Sequence, residues 1–194
     1  MKKVILSIAA LVVMYTSNAQ VNWSLDASHS GVKFSVTHLV VSEVEGSFKI
    51  FNGSVTSKDD AFEGATADFT IDIASINTDN ADRDNHLRGD DFFNAEKYPK
   101  ATFKSTSFKK VKGNKYELKG NLTIRDVTKP VTFDVTFGGT VKDPWGNTKA
   151  GFKATTTIKR LEYGLKWNSM IETGGAVVSD EVAITVNLEL KKAK

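Results

Sequence analysis

The segment Val131–Phe137 reads VTFDVTF, with valine and phenylalanine alternating with threonine and aspartate. Successive side chains of a β-strand point to opposite faces, so one face of this segment is apolar and the other is polar. In a helix of 3.6 residues per turn, the same apolar positions would be spread around the whole surface. The segment is therefore predicted to be a strand with one buried face.

The same period of two extends in both directions along the chain. Clear alternation occurs at Val32–Val36, Ala67–Ile73 and Val182–Leu190, and weaker alternation lies between them. Turn-forming residues such as Lys112-Gly113-Asn114 and Asp143–Asn147 separate the runs. About eight strands with short connections indicate antiparallel pairing. The fold class is all-β, and a closed antiparallel barrel is favoured over a sandwich of two sheets.

Two segments interrupt the alternation, at 77–100 and at 164–179. The first is crowded with Asp, Asn and Arg, and Asn80–Arg88 within it is predicted to form about two helical turns that end at Gly89. The segment 77–100 is expected to cover one end of the barrel as a lid, with Leu87, Phe92 and Phe93 pointing inward.

The first 19 residues have the layout of a cleavable signal peptide. Lys2 and Lys3 precede an apolar run, Val4–Met14, and small residues lead to Ala19, after which cleavage is expected. Residues 20–194 then form a single domain, and the predicted location is periplasmic or secreted. The chain has no cysteine, which rules out an acylated lipid anchor, disulfides and thiol catalysis.

Charge and motif content exclude several classes of function. Without the leader, 24 basic residues face 23 acidic ones, and no basic stripe with interleaved aromatics predicts nucleic-acid binding. His29, His38 and His86 lack the spacing of a metal site, so no metal is expected. No nucleophile turn or phosphate-binding loop is present. Lys129 and Arg160 are predicted to be ordinary surface charges.

The strand pattern places many phenylalanines on inward faces, with small residues such as Gly120 and Ala154 leaving gaps between them. An eight-stranded barrel has an interior that is either filled by side chains or able to hold one small ligand. From the pattern alone, a ligand-holding barrel and a filled core remain equally open.

Particular motifs carry a resemblance to a known family. They include Arg83–Phe93 (RDNHLRGDDFF), Lys97–Pro99, Gly120–Arg125 (GNLTIR) and Val127–Pro130. With these motifs the chain, from Trp23 to Leu190, resembles the YceI-like family of exported lipocalin-like barrels that bind polyisoprenoids. Asp126 stands where the family usually has glycine, and we expect a changed local turn there.

The resemblance implies a binder or carrier of a long apolar lipid, not an enzyme. The expected ligand is a polyisoprenoid such as a prenyl diphosphate or a quinone, with no other cofactor. Two alternatives stay open: an enzyme acting on a lipid with His38, His86 and Asp84 as acid and base groups, and a non-binding structural or stress-response barrel. Transient membrane contact and a homodimer are further expectations.

The predicted ligand site has two parts. The barrel interior is predicted to contact the ligand through Phe34, Val36, His38, Phe48, Phe69, Ile71, Leu87, Phe92, Phe93, Phe103, Leu122, Phe133, Phe137 and Phe152. The candidate contacts to an anionic head group are Arg83, His86, Arg88 and Arg125, because arginine favours phosphate.

Overall fold

A computed structural model describes residues 20–170 and 176–193, so the predicted signal peptide lies outside the described residues. It contains eleven strands and one α-helix, joined by short 3₁₀ turns. The strands are β1 (Val21–Leu25), β2 (Gly31–His38), β3 (Ser42–Phe48), β4 (Phe51–Ser57), β5 (Thr66–Asp72), β6 (Ile76–Asn77), β7 (Lys100–Lys112), β8 (Lys115–Ile124), β9 (Val127–Lys142), β10 (Thr148–Lys159) and β11 (Val178–Lys192). The helix, α1, spans Ala81–Arg88.

Eight of the strands form a closed antiparallel barrel, in the order β1-β4-β5-β7-β8-β9-β10-β11. The ring closes where β1 pairs with the end of β11, with Trp23 opposite Lys192 and Leu25 opposite Leu190. Strand β2 pairs with the first part of β11, β3 with β2, and β6 with β3, so these three short strands extend the sheet. The predicted all-β class and closed barrel are confirmed.

A chain reversal at Ala27–His29 lets β1 and β2 both pair with β11. Lys149 of β10 fastens this bend, because its Nζ donates to the Asp26 carboxylate and, at 2.8 Å, to Glu189 Oε1. The hydrogen bond from Lys149 holds the pKa of Asp26 well below its usual range. His29, Asp26 and Glu189 have ligand atoms within 4.8 Å of one another, but the Lys149 ammonium already pairs with both carboxylates.

One half of the barrel interior is filled by aromatic rings. Phe62, which is fully buried, lies 4.9 Å from both Trp23 and Phe152 between ring centroids. Phe137 stacks on Phe152 at 4.9 Å, and Tyr116 stacks on Phe108 at 5.0 Å. This half contains the β4–β5 and β7–β8 connections, and we call it the packed end.

Glycines in the strands make room for phenylalanine rings. A Cβ on Gly120 would lie 2.4 Å from the Phe103 ring, and one on Gly46 would lie 2.3 Å from the Phe34 ring. A side chain at either position would displace the ring, so the strand approaches the ring closely only because the residue is glycine. The gap predicted at Gly120 is therefore filled by Phe103.

The opposite end, which we call the lid end, carries α1 and the loop that follows it. Asn80 caps the helix by accepting a hydrogen bond from Arg83 N at 2.9 Å. The helix ends at Gly89 as predicted, but Gly89 has φ −71° and does not use a left-handed cap. Within the described residues no helix is long and apolar enough to cross a membrane.

The turn between β8 and β9 explains the aspartate where the resembled family has glycine. Arg125 and Asp126 have φ of 50° and 61°, so both central residues occupy the left-handed region, as in a type I′ hairpin turn. Aspartate is among the non-glycine residues that adopt this conformation most readily. The turn keeps its two-residue length and leads directly into β9.

We predict that Lys149→Met lowers the free energy of unfolding by about 2 kcal/mol at pH 7, because hydrogen bonds between charged groups are lost. The folded-state pKa of Asp26 lies below its unfolded value of about 3.9, so this stabilisation is complete above about pH 5 and declines as the pH falls below 4. Urea unfolding at pH 7 and at pH 3 should show a smaller difference between variant and wild type at pH 3. Lys119→Met, which removes only the exposed pair with Glu117, is the control, and an equal loss there would contradict the prediction.

Candidate functional site

An apolar chamber lies inside the barrel at the lid end. Its volume is about 120 Å³. Among the described residues that line it, Lys33 and Arg160 alone are charged. The chamber is lined by Val32, Lys33, Phe34, Val36, Phe48, Ile71, Ile73, Leu87, Phe92, Phe93, Ala101, Leu122, Ile124, Ile158, Arg160, Leu165, Val178, Val182 and Ile184.

The lid residues form one wall of this chamber. Leu87 comes from α1, and Phe92 and Phe93 come from the turn after it, where Phe93 N donates to Leu87 O at 3.0 Å. The Phe93 ring meets the Phe48 ring edge-on at 5.9 Å. The three apolar side chains that were expected to point inward therefore contact the chamber.

A second cavity of about 280 Å³ adjoins the chamber, and we call it the vestibule. It shares with the chamber Phe34, Val36, Leu87, Phe92 and Val178. It also has polar walls. The residues that line the vestibule alone are His38, Val44, Thr78, Arg83, His86, Trp167 and Val177.

Arg83 and His86, two of the predicted head-group residues, lie together in the vestibule. Arg83 Nε donates to Thr78 Oγ1 and Arg83 Nη2 to Thr78 O, both at 2.8 Å. The His86 ring meets the rings of Phe92 and Trp167 edge-on, at 5.0 and 5.6 Å between ring centroids, and its Nε2 lies 3.2 Å from Asp91 Oδ2.

The other two predicted head-group residues donate to backbone carbonyl oxygens in this structure. Arg125 Nη1 donates to the carbonyl oxygens of Asp90, Phe92 and Gly164 at 2.6–2.9 Å. Arg88 donates to Ala74 O and Ile76 O, both at 2.8 Å. Neither lines the chamber or the vestibule, because their guanidinium groups bind backbone carbonyls that fix the lid.

The predicted interior residues divide between the two halves of the barrel. Those that line the chamber or the vestibule are Phe34, Val36, His38, Phe48, Ile71, Leu87, Phe92, Phe93 and Leu122. Phe69 and Phe152 line a separate cavity of about 40 Å³ at the packed end. Phe103, Phe133 and Phe137 line none of these three cavities.

Phe103 and Phe133 separate the two halves. Their rings meet edge-on at 5.4 Å. Along β7, Ala101 lines the chamber and Phe108 lines the small cavity, with Phe103 between them. The strand pattern identified Phe103 and Phe133 as inward-facing, but it carried no information about which rings contact one another. Phe108 was not identified, because a register shift between Ser105 and Ser107 interrupts the alternation along β7.

Sequence reasoning missed Arg160, which was predicted to be a surface charge. It is 4% exposed, and its guanidinium donates to the carbonyl oxygens of Leu165, Trp167, Val178 and Ser179 at 2.7–3.1 Å. Burial lowers its pKa from the ordinary value. These bonds hold the β10–β11 connection against the chamber. The position of Arg160 at the end of an alternating strand, where its side chain continues the inward face of Ile158, was the available signal.

These features define a class of protein: a lipocalin-like closed barrel with an apolar chamber and a polar vestibule at one end. The YceI-like domain family matches residues 23–190. A UPF0312 protein of Photorhabdus laumondii is 41% identical over 170 residues, which cover 86% of this chain and 88% of that protein.

Solved structures agree with this assignment. BcnA of Burkholderia cenocepacia superposes with a TM-score of 0.74 at 30% identity, over 85% of this chain and 98% of that one. A polyisoprenoid-binding domain from Saccharophagus degradans, implicated in plant cell wall breakdown, has a TM-score of 0.61 at 17% identity, over 88% and 98% of the two chains. The latter likeness shows the fold alone. The chain belongs to the YceI-like family.

Proposed function

We propose that this protein binds a long apolar chain, with the chain in the chamber and its polar end in the vestibule. The observation that carries the proposal is the chamber itself, an almost wholly apolar space inside a barrel whose other half is filled. Burial of a hydrocarbon chain there gains about 0.8 kcal/mol for each methylene removed from water.

A polyisoprenoid is the ligand class that this proposal favours. Its branched, unsaturated chain suits a wall of phenylalanine, isoleucine and valine side chains. The Saccharophagus degradans domain of the same fold is described as polyisoprenoid-binding, which supports the same class for this family member. With the signal peptide removed, the protein would act as an exported carrier of such a lipid.

The volumes limit how the chain is held. Ligand sites are typically about 300–1,000 Å³, whereas the chamber is about 120 Å³ and the vestibule about 280 Å³. A prenyl chain would therefore occupy both spaces and rotate some of the lining rings. Phe34, Phe48 and Phe93 form a row with centroids 5.8 and 5.9 Å apart, and they are the rings that can move with the ligand.

The polar end of the ligand is proposed to lie beside Arg83 and His86. Arg83 is fixed by Thr78, whose backbone N and Oγ1 donate in turn to Asp84 Oδ1 at 2.8 and 2.6 Å. A guanidinium held in this way is preorganised for an anion such as a diphosphate.

The same bonds favour binding over catalysis. Asp84 was the carboxylate of the enzyme alternative, but it is 6% exposed and accepts both bonds from Thr78. It is also absent from the described residues that line the vestibule. Asp84 is therefore placed to anchor α1. It is not placed as a general base, because a general base needs to reach the proton that it removes.

Filling the chamber should abolish binding. Val36 lines both spaces, and Val36→Trp places an indole where the prenyl chain would lie, so affinity for farnesol should fall at least about tenfold. Displacement of an apolar fluorescent probe, N-phenyl-1-naphthylamine, measures it. The neighbouring residue Thr37 is exposed on the outer face of β2, and Thr37→Trp should bind farnesol as wild type does. Equal affinities in the two variants would contradict the proposed site.

The head-group assignment has a separate test. Arg83→Gln should weaken binding of farnesyl diphosphate about tenfold, because a charge-assisted contact is lost, and should leave farnesol affinity unchanged. Lys97→Gln is the comparison, since Lys97 is an exposed cation of the same segment, 77–100, and lines neither the chamber nor the vestibule. Isothermal titration with both ligands gives the two affinities. If farnesyl diphosphate bound both variants as tightly as wild type, Arg83 would have no part in head-group recognition.

A further inference from the structure

The turn between β2 and β3 presents three consecutive apolar side chains to solvent. Leu39, Val40 and Val41 are 37%, 66% and 85% exposed, and we call them the apolar tip. Single exposed apolar residues are common on protein surfaces and need no explanation. Three together at the end of a projecting hairpin are a different case, because the turn carries no polar side chain until Ser42.

The backbone of the apolar tip is also unusual. Leu39 and Val40 have φ of 51° and 65°, and Val41 N donates to His38 O at 3.2 Å to close the turn. Hairpin turns with two positive φ values strongly favour Asn-Gly, and a β-branched residue in the left-handed region is a steric outlier. Both turn geometry and solubility would favour other residues here, so the apolar side chains have another use.

The apolar tip borders the vestibule. His38, the residue before it, lines the vestibule and pairs with Val178 of β11. Leu39 N donates to Val177 O at 2.9 Å, and Val177 lines the vestibule as well. Val177 N in turn donates to Ser169 O at 2.8 Å, next to Met170, which is 68% exposed. Exposed apolar side chains therefore stand on two adjoining segments at the rim of the ligand site.

The shape of the tip indicates what it meets. Three consecutive uncharged side chains in a turn offer little area for the interface of a protein partner. It suits shallow insertion between lipid head groups, where apolar side chains replace water contacts with acyl chains. A bilayer is also where a lipid with a long apolar chain resides, so a rim that touches it would place the vestibule beside the ligand's source.

We propose that the apolar tip Leu39–Val41 inserts into a bilayer surface and docks the vestibule against it for uptake or release of the ligand. This role deepens the proposed function, on which its purpose rests, but the insertion itself needs no ligand. Contact through so few residues is weak and reversible, and it should not require anionic lipid because the tip is uncharged.

Vesicles of phosphatidylcholine test the insertion by flotation of the purified protein. Val40→Asp should reduce the bound fraction about tenfold, because a charge is costly at the depth of the tip. Val141 is also 66% exposed but lies near the β9–β10 turn at the packed end, so Val141→Asp should float as wild type does. Equal loss in both variants, or a wild-type protein that never floats, would overturn the proposal.

A second variant separates insertion from folding. The substitution L39N/V40G gives the turn its preferred residues, so unfolding in urea should be unchanged or occur at higher concentration, while flotation falls about as far as in Val40→Asp. Retained flotation would overturn the proposed role of the tip.

The probe-displacement assay with farnesol, run without vesicles, keeps the two proposals distinct. Flotation with no farnesol binding would remove the proposed function and leave the insertion. Farnesol binding with no flotation would remove the insertion and leave the proposed function. When both hold, transfer of farnesol from vesicles to the wild-type protein should be several-fold faster than transfer to L39N/V40G. Equal transfer rates would overturn the docking role.

Discussion

An eight-stranded barrel encloses a space of nearly fixed width, and the side chains on its inner face decide whether that space is filled. In this protein the inward side chains fill the space at one end of the barrel and leave part of it open at the other. At the packed end, Trp23, Phe62 and Phe152 meet ring to ring. At the lid end the inward residues are mainly aliphatic, and Phe103 with Phe133 closes the boundary between the two halves. The position and apolar character of the chamber follow from this unequal filling.

Buried arginines connect the barrel to the segments that cover it. Arg125 lies in the β8–β9 turn and Arg160 directly follows β10, yet each donates to several backbone carbonyl oxygens of the lid end, and Gly164 O and Leu165 O are among their acceptors. Most of these guanidinium N–H groups donate to backbone carbonyl oxygens and not to carboxylates. These hydrogen bonds hold the loops in place although the loops have no regular secondary structure. The wall of the chamber can thus be built from loops while the strands provide the frame.

The period of two in Val131–Phe137 and its counterparts was enough to predict the strands, because strand periodicity depends only on local sequence. The closed barrel was favoured over a two-sheet sandwich by the side chains expected on the inward faces. The helical turns of Asn80–Arg88 and their end at Gly89 were likewise predicted from local sequence. The distribution of the phenylalanines between the packed end and the lid end was not predictable, because it is set by contacts between residues far apart in sequence. The Phe103 ring lies against Gly120 of the neighbouring strand, and the Phe137 ring meets Phe62 of the β4–β5 connection. The roles of Arg125 and Arg160 were not predicted for the same reason. An arginine beside polar residues resembles a surface charge until the carbonyl groups around it are known.

Whether the chamber holds a prenyl lipid is tested by native mass spectrometry of the freshly purified protein, with solvent extraction of whatever it carries. A co-purifying species, or an added prenyl alcohol, should be bound with one molecule per chain, and the extracted species should show isoprenoid mass spacing. If the protein is empty on purification and takes up no prenyl alcohol, the proposed binding is wrong and the remaining space in the barrel is only a packing gap.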